Sequence, residues 1–276
     1  MTSLFKFLSI LPLWLAQGLG AALGWLVFVC SGVYRRRFLA NARQAGLSRR
    51  QWLPAVAAAG KLTAELPRLW FGSAVPVSWR GAEHVEAALL RGKGLVFLTP
   101  HLGCFEVAAQ AYALRYGLTQ QPMTVLFRPH RKPWLRELVA QARTRPGLHA
   151  APATMAGVKQ MVKALKRGQS LGLLPDQVPP AGLGVWAPFF GRDAYTMTLS
   201  ARLVRQTDAT VLLAWGERLP WGRGFTVHVQ PMEQALSSDA TLAATQINAA
   251  MEQLVLACPQ QYLWGYARYK QPRQDA

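Results

Sequence analysis

From Phe7 to Tyr34 the chain runs for 28 residues without a charged side chain. A stretch that contains Leu8, Ile10, Leu11, Leu13, Trp14, Leu15, Trp25, Leu26, Val27 and Phe28 must be covered by protein or by lipid, because water penalises so much contiguous apolar surface. As one helix it would be about 40 Å long, enough to cross a hydrocarbon core with some tilt. It is too long for the apolar region of a signal peptide, and no small-x-small cleavage site precedes the basic cluster that follows. A retained membrane anchor is the expectation, in one of two forms. One is a transmembrane helix; the other is a hairpin lying on the membrane, broken at Pro12 and Gly18. Gly20 and Gly24, four residues apart, offer a helix-packing face. Arg35-Arg36-Arg37, with Arg43, Arg49 and Arg50 beyond, outweighs Lys6 on the other flank, which places the bulk of the chain on the cytoplasmic side.

Beyond the anchor the composition is that of a folded protein. Apolar residues make up 51% and charged residues 16%, which excludes disorder from low hydrophobicity and high charge. The net charge of +18 predicts anionic partners: nucleic acid, an acidic carrier protein, phosphorylated substrates or an anionic membrane. A non-enzymatic basic membrane or nucleic-acid-binding protein is the distant alternative, but the tryptophans are scattered and no nucleic-acid-binding motif is present, so nucleic acid is not expected as the partner. Cys30, Cys104 and Cys258 are far apart, form no CxxC pair and are odd in number, which indicates neither a disulfide framework nor a zinc site.

Short apolar runs alternate with amphipathic stretches, the pattern of an α/β domain whose mixed sheet is flanked by helices. Strands are expected at 94–99, 123–127, 170–174, 209–215 and 225–229. Helices are expected at 51–70, 104–115, 133–143, 156–167, 198–206 and 240–257. No internal linker divides the body, so the organisation expected is an anchor with its basic flank over 1–37 and one catalytic domain over 38–276.

The sharpest local feature is Gly94-Leu-Val-Phe-Leu-Thr-Pro-His101-Leu-Gly-Cys-Phe-Glu106, a buried strand that stops at Pro100 and runs through His101 into a helix. Ligands of α/β sheets bind at the carboxyl ends of strands, which places His101 for chemistry. Glu106, in the first helical turn, is expected to reach one imidazole nitrogen and fix its tautomer, leaving the other to accept a hydroxyl proton. The structural alternatives are a capping or core histidine and a first-turn acid favoured by the helix dipole. Gly168-Gln-Ser170-Leu-Gly172 matches a serine-hydrolase elbow in letters, but an elbow serine lies between a strand and the following helix, and Ser170 opens a strand after a helix.

The motifs occur in a telling order: Arg35-Arg36-Arg37 with Asn41; His101-Leu-Gly-Cys-Phe-Glu106; Phe127-Arg128-Pro129; the helix from Gly157 to Gly168; Leu174-Pro175-Asp176-Gln177; Phe189-Phe190-Gly191 with Thr196; and Gln261-Tyr262-Leu263-Trp264 through Tyr269-Lys270. In that order the chain resembles the lipid A biosynthesis acyltransferases, the late acyltransferases within the His-x4-Asp/Glu superfamily. Two departures, Cys104-Phe105 for an Asn-Trp pair and Lys132-Pro133 for an Asn-Pro, bear on acceptor or chain-length preference rather than on the reaction.

The resemblance implies a glycerolipid acyltransferase-like fold at the bacterial inner membrane, its catalytic domain facing the cytoplasm. It implies acyl carrier protein as donor partner, a lipid A precursor as acceptor, and membrane lipids around both. Another glycolipid or an aminolipid is the alternative acceptor. His101 would be the general base, Glu106 its orienting acid, and no acyl-enzyme would form. Arg128 is the candidate oxyanion donor; Asp176 and Gln177, at a strand end, would order it or the acceptor. Ten Lys or Arg and one acid, Glu137, lie between Phe127 and Gly168. Arg145 first, then Lys159 and Lys163, with Arg192, are candidates for phosphate or carrier-protein contacts. Phe189 and Phe190 are expected at the acyl pocket, where Thr196 would donate a hydrogen bond or cap the next helix. No bound cofactor is expected, and no metal, since Asp176 has no second ligand at suitable spacing.

Overall fold

The computed structural model describes residues 2–119, 121–127, 139 and 145–274, with side chains from residue 5 onward. Helices α1 (Thr2–Ser9), α2 (Leu13–Cys30), α3 (Gly32–Gln44) and α4 (Arg49–Phe71) precede the sheet. Then come β1 (Val77–Arg80), α5 (Ala82–Leu90), β2 (Leu95–Leu98), α6 (Phe105–Tyr112) with a π-turn over Ala113–Gly117, β3 (Met123–Phe127) and β4 (Leu148–Pro152). The chain closes with α7 (Met155–Lys166), β5 (Ser170–Leu173), the hairpin β6 (Gly184–Phe189) and β7 (Arg192–Met197), α8 (Leu199–Thr207), β8 (Thr210–Arg218), β9 (Phe225–Pro231) and α9 (Ala240–Ala257).

Seven strands form one sheet in the order β1-β9-β8-β2-β5-β3-β4. Neighbouring strands are parallel except that β9 runs back antiparallel along β8. The sheet is therefore mixed, and its central strands β2 and β5 are buried at every position. Strands covered on both faces read as unbroken apolar runs rather than alternating ones, and Leu-Val-Phe-Leu at 95–98 is such a run. The five expected strands are all present, β8 extending three residues further to Arg218. Strands β1, β4 and the β6–β7 hairpin were not expected. Of the helices, 240–257 matches at both ends, while α5 was not anticipated. The expected helix 133–143 lies outside the described residues apart from Val139, which is buried.

The long apolar run is not one helix. It breaks at Pro12 and again at Ser31, and Gly18 stays inside α2. Pro12 lacks the N–H an interior position needs; at Ser31 the side chain accepts a hydrogen bond from the Tyr34 N–H and starts α3. Arg35 donates to the carbonyls of Phe28 and Val29 at the end of α2 (3.2 and 2.7 Å), favourable at the negative pole of a helix. Residue 37 lies within α3, whose Phe38 and Ala42 are fully buried.

One stripe of α2, comprising Leu13, Ala16, Gln17, Gly20, Gly24 and Phe28, is buried and runs antiparallel along α4. Phe28 meets Trp52, Gly24 lies on Val56 and Gly60, Gly20 on Lys61 and Ala64, and Gln17 on Glu65. The expected glycine face is thus a packing face within one chain. Gly60 is as constrained as its partners: a Cβ there would run into the Gly20 carbonyl oxygen. We expect Gly60→Ala to lose about 1–3 kcal/mol by forcing the two helices apart. At Gly18, where an added methyl meets nothing within 4 Å, alanine should instead add about 0.5–1 kcal/mol through helix propensity. Melting of the two variants in detergent checks both signs.

Candidate active site

His101 follows β2 at its carboxyl end, between Pro100 and the turn that opens α6. The turn is held from two sides. The Cys104 N–H donates to Gly216 O of β8 (2.8 Å), while the Gly103 N–H donates to Gln261 O (3.0 Å) and the Leu263 N–H to His101 O (3.1 Å). Gly103 has φ +61, and a Cβ there would collide with the Gly216 carbonyl; only glycine fits so close an approach in the left-handed region. β5 ends beside β2 and delivers Asp176 and Gln177 to the same point, the carboxyl edge where α/β sheets bind ligands.

The imidazole is held at both nitrogens. Asp176 Oδ1 lies 2.7 Å from Nδ1, and Oδ2 accepts the His101 backbone N–H at 2.8 Å. Tyr262 OH donates to the same carboxylate at 3.2 Å. Asp176 is only 2% exposed. Burial alone would raise its pKa, but the His101 charge and its two hydrogen bonds outweigh that and hold the carboxyl below its ordinary value. An ionised carboxylate only accepts, so Nδ1 carries a proton in either charge state of the ring, and deprotonation of the other nitrogen leaves the lone pair on Nε2. Gln177 Nε2 sits 3.0 Å from that atom. Phe105 meets the ring at 4.9 Å between centroids, in an edge arrangement.

The carboxylate bonded to Nδ1 among the described residues is that of Asp176, not of Glu106. Glu106 lies one position into α6, beyond the left-handed turn at Gly103, and its carboxylate is directed into the protein, with Oε2 3.5 Å from Trp70 Nε1. It borders an apolar cavity of about 70 Å³ that begins at Thr99, Phe105 and Leu174 beside the His101 turn and extends past Tyr112, Met123 and Gly172. The cavity is a slot between α6 and the sheet.

The other candidate residues are placed as follows. Arg145, expected near a substrate phosphate, donates to the carbonyls of Leu69 (2.5 Å) and Trp70 (2.6 Å) at the end of α4, and to Gln110. Carbonyls at a helix end have no partner within the helix, and a half-buried guanidinium satisfies them. Phe189 and Phe190 do not border the cavity. Phe189 belongs to the apolar cluster on the α9 side of the sheet, and Phe190, at φ 49, packs on Phe189 and Trp264. Thr196 lies in β7, fully buried, bonded to Asn248 and to Arg268 (2.7 Å); it neither reaches the cavity nor caps α8. Arg192 covers the Tyr269 ring at 4.7 Å. Lys159 and Lys163 lie exposed on α7. Ser170 is buried and shares a 2.7 Å hydrogen bond with Tyr112 OH, a core contact rather than a nucleophile's. Arg128 lies outside the described residues.

Two groups that support the site were not singled out from the sequence. Tyr262 braces Asp176, its only advance signal being its place in one of the ordered motifs. Arg218, at the end of β8, pairs with Glu65 of α4 through Nε and Nη2 (2.5 and 2.7 Å), with both side chains buried, and directs Nη2 toward Gly103 O at 3.4 Å. Burial acts to lower the Arg218 pKa, yet the Glu65 charge and hydrogen bond carry it above its ordinary value.

A sequence model of the bacterial lipid A biosynthesis acyltransferases matches residues 56–271. The lauroyltransferase of lipid A biosynthesis from Escherichia coli K12 is 26% identical over 192 residues, covering 69% of this chain and 60% of that protein. A lipid A biosynthesis acyltransferase of Haemophilus influenzae is 27% identical over 186 residues, 67% of this chain and 56% of its own length. The E. coli K12 palmitoleoyltransferase is 26% identical over 193 residues, 69% and 60% of the two chains. The chain thus spans about 60% of the length of the curated relatives it matches. The matched region contains His101, Glu106, Asp176 and Tyr262 together with the sheet that gathers them, and on that match the chain belongs to the bacterial lipid A biosynthesis acyltransferases.

Proposed function

We propose that this chain is an acyltransferase that moves a secondary fatty acyl chain from acyl carrier protein to a hydroxyl of a lipid A precursor. The observation that carries this reading is the imidazole of His101, its Nδ1 bonded to the buried Asp176 carboxylate and its Nε2 left for the acceptor, next to an apolar slot bordered by Phe105 and Thr99. Nε2 takes the proton of the acceptor hydroxyl as its oxygen attacks the thioester carbonyl carbon. The tetrahedral oxyanion then collapses, the carbon–sulfur bond breaks, and the imidazolium returns the proton to the leaving thiolate. Asp176 stabilises the imidazolium between these steps, as buried acids do for catalytic histidines in general. Gln177 stands where the hydroxyl must arrive, and the acceptor displaces its amide. The thioester end of the acyl chain enters the slot, with Glu106 at its border, and Arg128 is the residue proposed for the oxyanion contact.

Acyl carrier proteins are acidic, and the exposed lysines of α7 suit such a partner. Attachment to the cytoplasmic face of the bacterial inner membrane belongs to the same reading; the apolar outer face of α2 and the exposed Arg36 and Arg37 support it.

A detergent assay with charged acyl carrier protein and a lipid A precursor tests the reaction, read by mass spectrometry as gain of one acyl group. His101→Ala and Asp176→Asn, each shown to be folded, should lower kcat by about 10²- to 10⁴-fold; undiminished transfer by either would sink the mechanism. Asp176 carries a second, independent signature. Its pKa is lower folded than unfolded, so its contribution to stability is complete above the ordinary carboxylate value near ~3.9 and fades as pH falls toward the lower native one. Melting curves across that acid range should show this loss in wild type and its absence in Asp176→Asn. Reversing charge at Lys159 and Lys163 together should raise KM for the carrier-bound donor about 3- to 10-fold while sparing kcat, with a weakened salt dependence.

A further inference from the structure

Resting on the membrane attachment proposed above, we propose that α2 does not cross the bilayer but lies along its surface, and that the tip of the β8–β9 hairpin enters the same surface at Trp221. The two faces of α2 differ in what covers them. Its buried stripe is held by α4 from Phe28 back to Gln17, and Gln17 donates to Glu65 at 2.8 Å. Both ends are fastened to the same body. Before α2, Phe5 stacks on Trp70 of α4 at 6.3 Å and Arg68 donates to Ser9 O. After it, Phe38 is buried in the core and Asn41 donates to the carbonyls of Trp264 and Tyr266, both at 2.7 Å.

A transverse α2 would carry α4 with it, and α4 brings Lys61, Glu65 and Arg68 alongside. Charged side chains in the hydrocarbon core are costly, and Glu65 is further bound to Arg218, a residue of the catalytic sheet. The alternative is for α2 to detach, which gives up the glycine-to-glycine packing and leaves Gln17 and Glu65 without each other. Lying flat requires neither. The outward face is then the one that meets lipid: Trp14, Leu19, Leu23, Trp25, Leu26 and Val29 are exposed along it. A helix with protein on one side and acyl chains on the other is apolar all round, so its composition mimics a spanning segment.

The hairpin tip continues this face. Trp221 is 87% exposed and held at φ 61, a conformation a bulky residue adopts only when its surroundings impose it. The imposition comes from α2: the Gly222 N–H donates to Gln17 Oε1 at 3.1 Å, and Gly222 packs against the Trp14 backbone. Trp221, next to Gly222 in the chain, is thereby brought to the Trp14 end of α2, and Trp14, Trp221 and Arg223 are all exposed. Indoles favour the interface between headgroups and acyl chains, and arginine suits anionic headgroups. This surface commits to a lipid bilayer as its occupant.

The test uses the full chain carrying Cys30→Ser, since Cys104 and Cys258 are buried, with one new cysteine at a time: Lys6→Cys, Arg273→Cys or Trp221→Cys. Each protein is added from detergent to preformed vesicles of three parts phosphatidylethanolamine to one part phosphatidylglycerol. We expect co-sedimentation and modification of Lys6→Cys and Arg273→Cys by an impermeant maleimide to extents within about twofold of each other, unchanged by lysing the vesicles. A bimane at Trp221→Cys should be quenched at least about twofold by brominated acyl chains. Failure to sediment would overturn the membrane reading itself. Sedimentation with Lys6→Cys protected until lysis would overturn the flat helix alone, and an unquenched bimane on sedimented protein would overturn the hairpin contact.

Discussion

Glu65 and Arg218 form an ion pair from which water is excluded, and much of the molecule is arranged around it. Arg218 ends the strand that flanks His101, while Glu65 sits two-thirds of the way along α4. Taking two charges out of water is expensive, and the attraction offsets the cost only when geometry is good and the remaining polar atoms are satisfied. Here they are. Gln17 of α2 donates to Glu65, Gln261 accepts from the Arg218 backbone and guanidinium, and Arg218 leans toward Gly103 O. Each of these contacts ties a different piece of chain to the pair: the apolar helix, the C-terminal segment and the turn that presents the imidazole. The helix that faces outward and the loop that carries the candidate base are thus held by one buried carboxylate and one guanidinium.

The site has the same economy. Asp176 uses one oxygen on Nδ1 and the other on both the His101 backbone N–H and Tyr262 OH. A carboxylate with these three donors is fixed in orientation, and it fixes the ring tautomer in turn. Such an arrangement needs two strand ends to arrive together. The parallel pairing of β2 with β5, Leu98 opposite Leu173, brings residues 75 apart in sequence within hydrogen-bonding distance.

What could be read in advance divides along physical lines. The central strands were legible because burial on both faces leaves an apolar run between turn residues, and β3 and α9 were placed to the residue. Strand β4, Leu-His-Ala-Ala-Pro, carries little apolar signal and pairs only on one side, at the sheet edge. The β6–β7 hairpin holds Pro188 and an Arg-Asp pair, which argue locally against a strand. His101 was legible from the strand that stops at Pro100. Its Nδ1 partner was not, because the acid that bonds it, Asp176, comes from the end of another strand, 75 residues on. Phe189 and Phe190 lie away from the cavity beside His101 for a related reason: adjacent aromatics announce burial without saying in which of two cores.

The amino-acid sequence by itself determined that this is an α/β protein with an unusually apolar beginning, a basic balance and a histidine at a strand end, and it carries the ordered motifs of the family to which the chain belongs. These follow from periodicity, composition and short-range order, all local properties of a chain. Only the tertiary structure decided that Asp176 bonds His101, that Arg145 donates to carbonyls at a helix end, and that α2 is packed along α4 through Gly20, Gly24 and Gly60. The reason is the same in each case. Hydrogen bonds and close backbone approaches between distant segments depend on strand register and helix contact, and neither leaves a periodic trace in the residues that make them.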